Sequence, residues 1–599
     1  MQFDFRKYRN IYTADFETST DAWDTESARV WLWDICDTNL KHTTGTDITE
    51  FMRKCIAKSR NDLYCFHNLA YDGAYILSWL LSHKYRYTDS KSEDMKPGEF
   101  TTIISDMGTH YAYEIVNKRN EHTVIMDTLK YVNMSIEKMA EKYDLPIKKG
   151  SIDYDLFRAE DWKPTETEIS YIHNDTEIAM RVVQMNIAEG AYKFTQAGNA
   201  RFEFKKLFSK DEYESLFPQI IDEDAYLRKA YYGGYVQVNP KYQNTVVTDM
   251  MSFDINSMYP AKMLHCELPF GYPMWFSGKY VANPKFPIYV QRFKCRFELK
   301  ENGIPTIQSK SFFKNSDTLY LRSSGLKIFE LTLTNLDIEL LFDNYYVYDI
   351  EYEGGYMFMT KKGVEITPEQ AKQLTVDEII DQDGKGSYYY EYIKKWRSIK
   401  EHSKGAKRDY AKRNQNALYG AEATNPVRYS SIPYLNEDGI LKYHIEKSDS
   451  TGKAEYLPAA IFITAWARYD LIKIIMRHKD IFVYCDTDSL YLKCTTPPPD
   501  LPIHPSLYGF FKIEHYIAKF KCVGAKRYIY WGTTPENKDN FYSLNVTCCG
   551  ADESIKKQMS FQNFNAGAEF YGKKSVHTVK GGKHIRLTTY RLGKMKERR

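Results

Sequence analysis

The stretch "VYCDTDSLYL", residues 483–492, sets Asp486 and Asp488 one residue apart between two short apolar runs. Runs of that length and composition read as strands, and the acidic pair between them as a tight turn. Two carboxylates so close, with tyrosine and aliphatic residues on both sides, are costly to bury unless a cation answers them. Alone the stretch is a short acidic turn; the question it raises is whether distant groups join it to hold a cation.

The chain is 599 residues long, too long for a single core, so several domains are expected. A hydrophobic content of 43% with 15% aromatics excludes a disordered chain. No apolar run approaches the ~20 residues of a membrane helix. The N-terminal "MQFDFRKYRN" lacks the apolar stretch of a secretory signal, which makes the cytoplasm the expected compartment. Ten scattered cysteines without a C-x-x-C pair fit reduced thiols better than a disulfide framework or a zinc site. The net charge of +3 argues for no particular partner, but its distribution is uneven. Residues 394–413 and the segment from Lys573 onward are both strongly basic, which suggests local contacts with a polyanion. A solvated helix face would explain an isolated run of this kind equally well.

Along the chain, β-like runs at 11–17, 29–36 and 62–66 alternate with helical patterns at 74–83 and 166–190. This is an α/β layer. Short β runs rich in Tyr, Phe, Gly and Pro fill 230–356, helix returns over 388–420, and 424–457 reads as a hairpin-bearing insertion around "NEDG".

Within the first third, "YTADFETST" puts Asp15 and Glu17 on one face of a strand. Asp72, in "NLAYDG", stands at a helix start, and Asp175 lies one turn beyond Tyr171 in "YIHND". Each acid alone would more often be a turn residue, an N-cap or a surface charge. Four converging carboxylates could instead hold two divalent ions for in-line hydrolysis of a phosphodiester, and magnesium or manganese suits such oxygen ligands. Further on, "FDINSMYP" carries Asp254 and Tyr259, and "AKRNQNALYGA" brings Lys412, Asn416 and Tyr419 onto one helix face, where triphosphate, base and sugar could be met together.

These motifs resemble those of family B DNA polymerases. "DFE", "NLAYDG" and "YIHND" are similar to the three motifs of the proofreading exonuclease, and "FDINSMYP", "KRNQNALYG" and "YCDTDS" to the three polymerase motifs, in the family's order. The resemblance implies a multidomain α/β and α+β chain: an RNase H-like 3′–5′ exonuclease followed by a right-hand palm, fingers and thumb. It implies Asp15, Glu17, Asp72 and Asp175 as exonuclease metal ligands, Tyr171 orienting the attacking water, and Lys149 near the scissile phosphate. Ser151 stands where relatives carry an aspartate. Thr18, His67, Asn68 and Tyr71 would hold the single-stranded 3′ end, and Thr128 and Leu129 would contact DNA. On the polymerase side, Asp254 and Asp488 would bridge two ions, with Asp486 and the Ile255 carbonyl completing the shell. Tyr259, Lys400, Lys412, Asn416 and Tyr419 would bind the incoming nucleotide, Tyr259 excluding a 2′-hydroxyl. "AYYGGYV" (Tyr231, Gly233, Gly234), "ITAWAR" (Thr464, Arg468) and "AKRY" (Lys526, Tyr528) resemble DNA-contacting elements.

Between Asp254 and Lys412 lie 157 residues, more than a bare palm and fingers need, and a second insertion separates Gly420 from Thr464. Insertions at those places resemble the protein-primed branch of the family, the phi-twenty-nine type of bacteriophages. The implied layout is exonuclease 1–195, palm 196–265, first terminal-protein-region insertion 266–387, fingers 388–423, second insertion 424–457, palm 458–550 and thumb 551–599. The expected function is protein-primed, DNA-templated replication of a linear viral genome with proofreading and strand displacement. Two magnesium (or manganese) ions per site, primer-template DNA, dNTPs and a terminal protein are the expected partners, the chain acting as a monomer or as a heterodimer with that protein, in the host cytoplasm. The competing expectation is a mobile-element or repair polymerase extending ordinary primers.

Overall fold

Strand parity decides the first domain. In β1 (Asn10–Thr18) Ala14 and Phe16 enter the core, and Phe16 packs against Phe51 and Phe66 at ring separations of 4.7 and 5.0 Å. Thr13, Asp15 and Glu17 leave by the opposite face. The computed structural model describes residues 3–19, 27–57, 59–154, 156–308, 320–448, 452, 455–537 and 542–593. β2 (Val30–Asp37), β3 (His42–Gly45), β4 (Asp62–Phe66), β5 (Arg86–Tyr87), β6 (Glu99–Ile104), β7 (His110–Val116) and β8 (His122–Asp127) complete one sheet. Its order is β3-β2-β1-β4-β8-β7-β6-β5, with β1, β4 and β8 parallel. Helix α1 (Leu69–Ser82) follows β4. α2 (Glu166–Ala188) lies across the face bearing Asp15, fixed there by the Thr13 hydroxyl donating to the Thr176 carbonyl at 2.7 Å. The Thr165/Glu168 capping box that the sequence predicts starts this helix.

The second half begins with β9 (Val236–Val238), β10 (Val246–Ile255) and α3 (Met258–His265). The first long insertion forms its own sheet from β11 (Leu268–Ser277), β12 (Ile288–Leu299), β13 (Phe329–Thr334) and β14 (Tyr345–Lys361), in the order β11-β14-β12-β13, with α4 (Asn335–Asn344) between its last two strands. The stretch read as helix over 388–420 is two helices, α5 (Tyr390–His402) and α6 (Gly405–Glu422), broken where Gly405 takes a φ of 56°. The "NEDG" segment is the turn of a hairpin, β15 (Tyr429–Leu435) with β16 (Leu441–Lys447). Then come α7 (Leu457–Arg477), β17 (Phe482–Asp486), β18 (Ser489–Leu492), β19 (Phe511–Gly524), β20 (Arg527–Thr533) and β21 (Ser543–Cys548). These strands join β9 and β10 in a seven-stranded sheet ordered β21-β20-β19-β10-β18-β17-β9. A last hairpin, β22 (Glu569–Val579) and β23 (Gly582–Arg591), reaches back to the first domain. Part of the second insertion and the terminal basic residues from Lys594 lie outside the described residues.

The two halves are tied by packed side chains. Leu441 and Val579, from the two hairpins, belong to the same apolar cluster as Phe16, Phe66 and Tyr75. At the tip of the last hairpin a Cβ on Gly582 would come within 2.1 Å of the Tyr75 ring, so only glycine allows that seat on α1.

Candidate active sites

The exonuclease-side acids do converge. Asp15 and Glu17 leave β1 side by side, Asp72 comes from the first turn of α1, and Asp175 comes from α2. Glu17, Asp72 and Asp175 are buried. Burial, then the Asp175 charge, pushes Asp15 up to about 7. Burial and the neighbouring acids hold Glu17 and Asp72 well above the usual carboxylate range. Lys149 is the counter-charge, its ammonium 2.6 Å from Asp175 Oδ2. Asp175 Oδ1 is buried with no hydrogen-bond partner, an oxygen left for something other than protein. Four hard oxygen donors, one of them orphaned, fit divalent ions.

The surrounding groups divide. Tyr171 is buried, its hydroxyl 2.5 Å from that of Tyr154, which the sequence reading did not single out although it lies five residues beyond Lys149. Thr18 and Tyr71 share a 3.0 Å hydrogen bond. Asn68, in a left-handed conformation at φ 72°, exposes its side chain, and Leu129 is half-buried. Burial lowers His67 to about 4, so it stays a neutral imidazole 3.0 Å from the Thr128 hydroxyl. Thr128 itself is 1% exposed and donates to the Phe66 carbonyl at 2.9 Å; contrary to the expectation of a DNA contact, it braces His67. Ser151 is exposed rather than turned into the acid cluster. From the last hairpin Lys583 donates to the Ala70 carbonyl and lends its charge to Asp72, a contribution invisible in the sequence because the two are far apart in the chain.

On the seven-stranded sheet, β17 and β18 form the hairpin that the opening stretch predicts, and β18 pairs with β10 so that Ser489 lies opposite Asp254. Three acids thereby meet at one sheet end. Thr487 occupies the turn at φ 63°, a costly conformation for a β-branched residue. Its amide donates to the Tyr235 carbonyl at 2.8 Å, and a Cβ on Gly234 would meet its side chain at 2.6 Å. The Tyr-Gly-Gly element thus shapes the acidic turn, while Gly233 faces open space.

The three acids differ. Asp486 accepts from Lys526 at 2.7 Å, and Asp254 pairs with Lys512 at 3.1 Å. Burial, then the Asp254 charge, pushes Asp488 up to about 6, with Lys412 opposing. The Ile255 amide donates to the Asp488 carbonyl at 2.8 Å, which locks the two strands in register. Glu514 on β19 also faces Asp254, and burial raises its pKa; its alternating polar strand gave no signal in the sequence. Tyr259 and Tyr419 pack with ring centroids 4.2 Å apart. Lys412 is exposed, Asn416 donates to the Lys412 carbonyl at 3.1 Å, and Lys400 reaches Ser257 at 3.3 Å, between Asp254 and Tyr259. Lys526 and Tyr528 flank a hairpin tip that leans on β17 and β18, with the Tyr528 hydroxyl 3.2 Å from that of Tyr491. Tyr231 is half-buried nearby.

The "ITAWAR" residues depart from expectation. Thr464 is 1% exposed and bonds back to the Ala460 and Ile461 carbonyls within α7. Arg468 is 6% exposed, forks onto Asp337 of α4 at 2.8 and 3.0 Å, and donates to the Tyr232 and Gly233 carbonyls. Both side chains are spent inside the protein, so neither is placed to touch DNA.

A family model described as "DNA polymerase type B, organellar and viral" matches residues 53–162, 157–365 and 382–501. The DNA polymerase of Bacillus phage Nf is 34% identical over 96% of this chain and 98% of its own length, and that of Bacillus phage phi29 is 34% identical over 96% and 97%. The chain is a family B DNA polymerase. The DNA polymerase of Streptococcus phage Cp-1 is 31% identical over 97% of this chain and 98% of its own length. Among solved structures, phi29 DNA polymerase complexed with single-stranded DNA superposes with a TM-score of 0.87 at 32% identity, covering 98% of this chain and 100% of that one. The ternary complex of phi29 polymerase with primer-template DNA and incoming nucleotides matches with the same score. This family B polymerase is therefore a DNA-directed DNA polymerase with 3′–5′ exonuclease activity that depends on divalent metal ions, of the phage type that replicates linear genomes by protein-primed initiation. Its fold of exonuclease and polymerase domains is that of the phi29 enzyme.

Proposed function

We propose that the polymerase starts synthesis on a terminal protein, elongates from primer-template DNA and dNTPs, and corrects 3′ ends at its own exonuclease cluster in the host cytoplasm. The observation that carries this reading is the pairing of two separate carboxylate clusters with a first insertion folded as an independent sheet. Asp254 and Asp488, supported by Asp486 and the Ile255 carbonyl, would hold two magnesium or manganese ions; Asp15, Glu17, Asp72 and Asp175 would hold two more. When bound, such ions activate an attacking oxygen and neutralise phosphate charge.

The chain's own residues do the rest by positioning and charge. Lys412 and Lys400 attract the triphosphate, with Asn416 beside them. Tyr259, its ring tilted against that of Tyr419, forms a wall below the sugar where a 2′-hydroxyl would clash. Lys526 and Tyr528 grip the primer end, and Lys526 exchanges its bond to Asp486 for a phosphate contact. In the exonuclease half, Tyr171 and Tyr154 orient water, and Lys149 meets the scissile phosphate. Thr18, Asn68, Tyr71 and Leu129 line the approach of the strand. The exposed Tyr272, Met274 and Trp275 of β11 support a protein-facing role for the first insertion.

The test supplies polymerase, terminal protein and origin DNA but no oligonucleotide, and follows transfer of labelled dNMP to the protein. Labelled terminal protein is expected. Primer extension without any such label would leave a polymerase of ordinary primers and sink the priming reading.

A further inference from the structure

The helix-covered face of the exonuclease sheet carries a second polar group, made of other residues. Asp34 on β2 stands opposite Asp15 in the strand register, and its side chain has 0% exposure. Two imidazoles converge on it. His42, at the start of β3, brings Nδ1 to 2.8 Å from Oδ2, and His173 on α2 brings Nε2 to 3.5 Å from Oδ1. The rings stack with centroids 4.1 Å apart, and one ligand atom from each of the three residues lies within 4.8 Å of the others. Glu177, one turn beyond His173, lies 3.6 Å from Nε2 of His42. The Thr176 hydroxyl donates to Asp34 Oδ2 at 2.6 Å, the kind of outer contact that fixes a ligating carboxylate.

A single imidazolium would be enough to neutralise one buried carboxylate. Two stacked imidazoles repel if both are charged, so the second offers a nitrogen, His173 Nε2, that now meets the Thr44 hydroxyl at 3.0 Å beside the same carboxylate. Two imidazole nitrogens and a carboxylate oxygen form the donor set of a borderline metal such as zinc. The all-oxygen catalytic clusters suit magnesium instead.

We propose that Asp34, His42 and His173, with Glu177 at the rim, form a zinc-class metal site distinct from both catalytic clusters. The ion takes the place of the proton between His42 Nδ1 and Asp34, and that proton leaves to solvent. The bound ion clips β2 and β3 to the part of α2 that carries Tyr171 and Asp175. The site rests on these side chains alone and stands whether or not the priming assignment does.

The experiment loads the full-length protein with zinc chloride in excess magnesium, desalts it and counts bound metal by mass spectrometry. One zinc per chain is expected in the wild type and in Asp15→Ala/Glu17→Ala, with affinity at least about tenfold weaker in His42→Ala and His173→Ala. Primer extension, which occurs on the other sheet, checks that the variants fold. As a measurement without variants, zinc is expected to protect His42 and His173 from diethylpyrocarbonate. No retained zinc, equal zinc in the histidine variants, or unprotected histidines would each overturn the site.

Discussion

At the exonuclease cluster the one ion pair among the described residues joins Lys149 to Asp175, with Lys583 acting on Asp72 from farther off, whereas at the polymerase cluster Asp254 and Asp486 each pair with a lysine of their own. Burial and mutual repulsion hold Asp15, Glu17 and Asp72 toward their protonated forms, and burial with the Asp254 charge raises Asp488 to about 6. Without metal, the first site relieves its charge mainly with protons and the second mainly with lysines. A cation entering the first would displace protons; at the second it would compete with the paired lysines.

The largest expected effect is reciprocal. Asp488→Ala is expected to cut nucleotide incorporation by about a thousandfold and leave digestion of a single-stranded 3′ end intact. Asp15→Ala/Glu17→Ala should do the reverse. Extension and nuclease assays on the same preparations check both, and a joint loss would break the division into two sites. Next in size is Arg468→Ala, which leaves Asp337 unpaired and is expected to lower stability by about 3 kcal/mol. Asp337→Ala should match it in denaturant melts. A loss of DNA affinity in the arginine variant alone would restore the contact role. Tyr259→Val is expected to ease ribonucleotide incorporation by about tenfold, read from the ratio of kcat/KM values for the two sugars.

The smallest effect is on stability. An unfolded aspartate titrates near 3.9 and folded Asp15 near 7, so the favourable neutral form is fully populated below the first value and lost as pH rises through the second. Chelated protein should therefore melt at a lower temperature at pH 8 than at pH 5, and Asp15→Asn/Glu17→Gln should flatten that difference. An unchanged slope in the variant would remove the proton account of the first cluster.

The acids were legible because charge in an apolar setting is a local anomaly. Asp486 and Asp488 between aliphatic runs, and Asp15 and Glu17 on a strand, announce a cation without help from the fold. The strands at 11–17 and 62–66 and the capped helix from 166 were legible for the same local reason, periodicity. Burial was not. Thr464 and Arg468 sit in a motif that resembles a DNA contact, yet α7 is packed on most sides and turns both inward. Glu514, Tyr154 and the Asp34 group became visible only when distant strands were brought together, because each is an ordinary polar residue in its own stretch.

The second insertion and the last hairpin touch each other as well as the exonuclease core. Ile440 bridges to Lys580, Ser431 donates to the Ser105 carbonyl at 3.0 Å, and the Ala28 amide donates to the Lys580 carbonyl at 2.9 Å. The second insertion's hairpin, the nuclease domain and the last hairpin therefore close a loop of contacts. For a strand threaded through such a loop, escape is a matter of topology: it slides off an end, or the Ile440–Lys580 seam comes apart. For such a strand, parting of that seam would be a release step separate from its phosphate contacts.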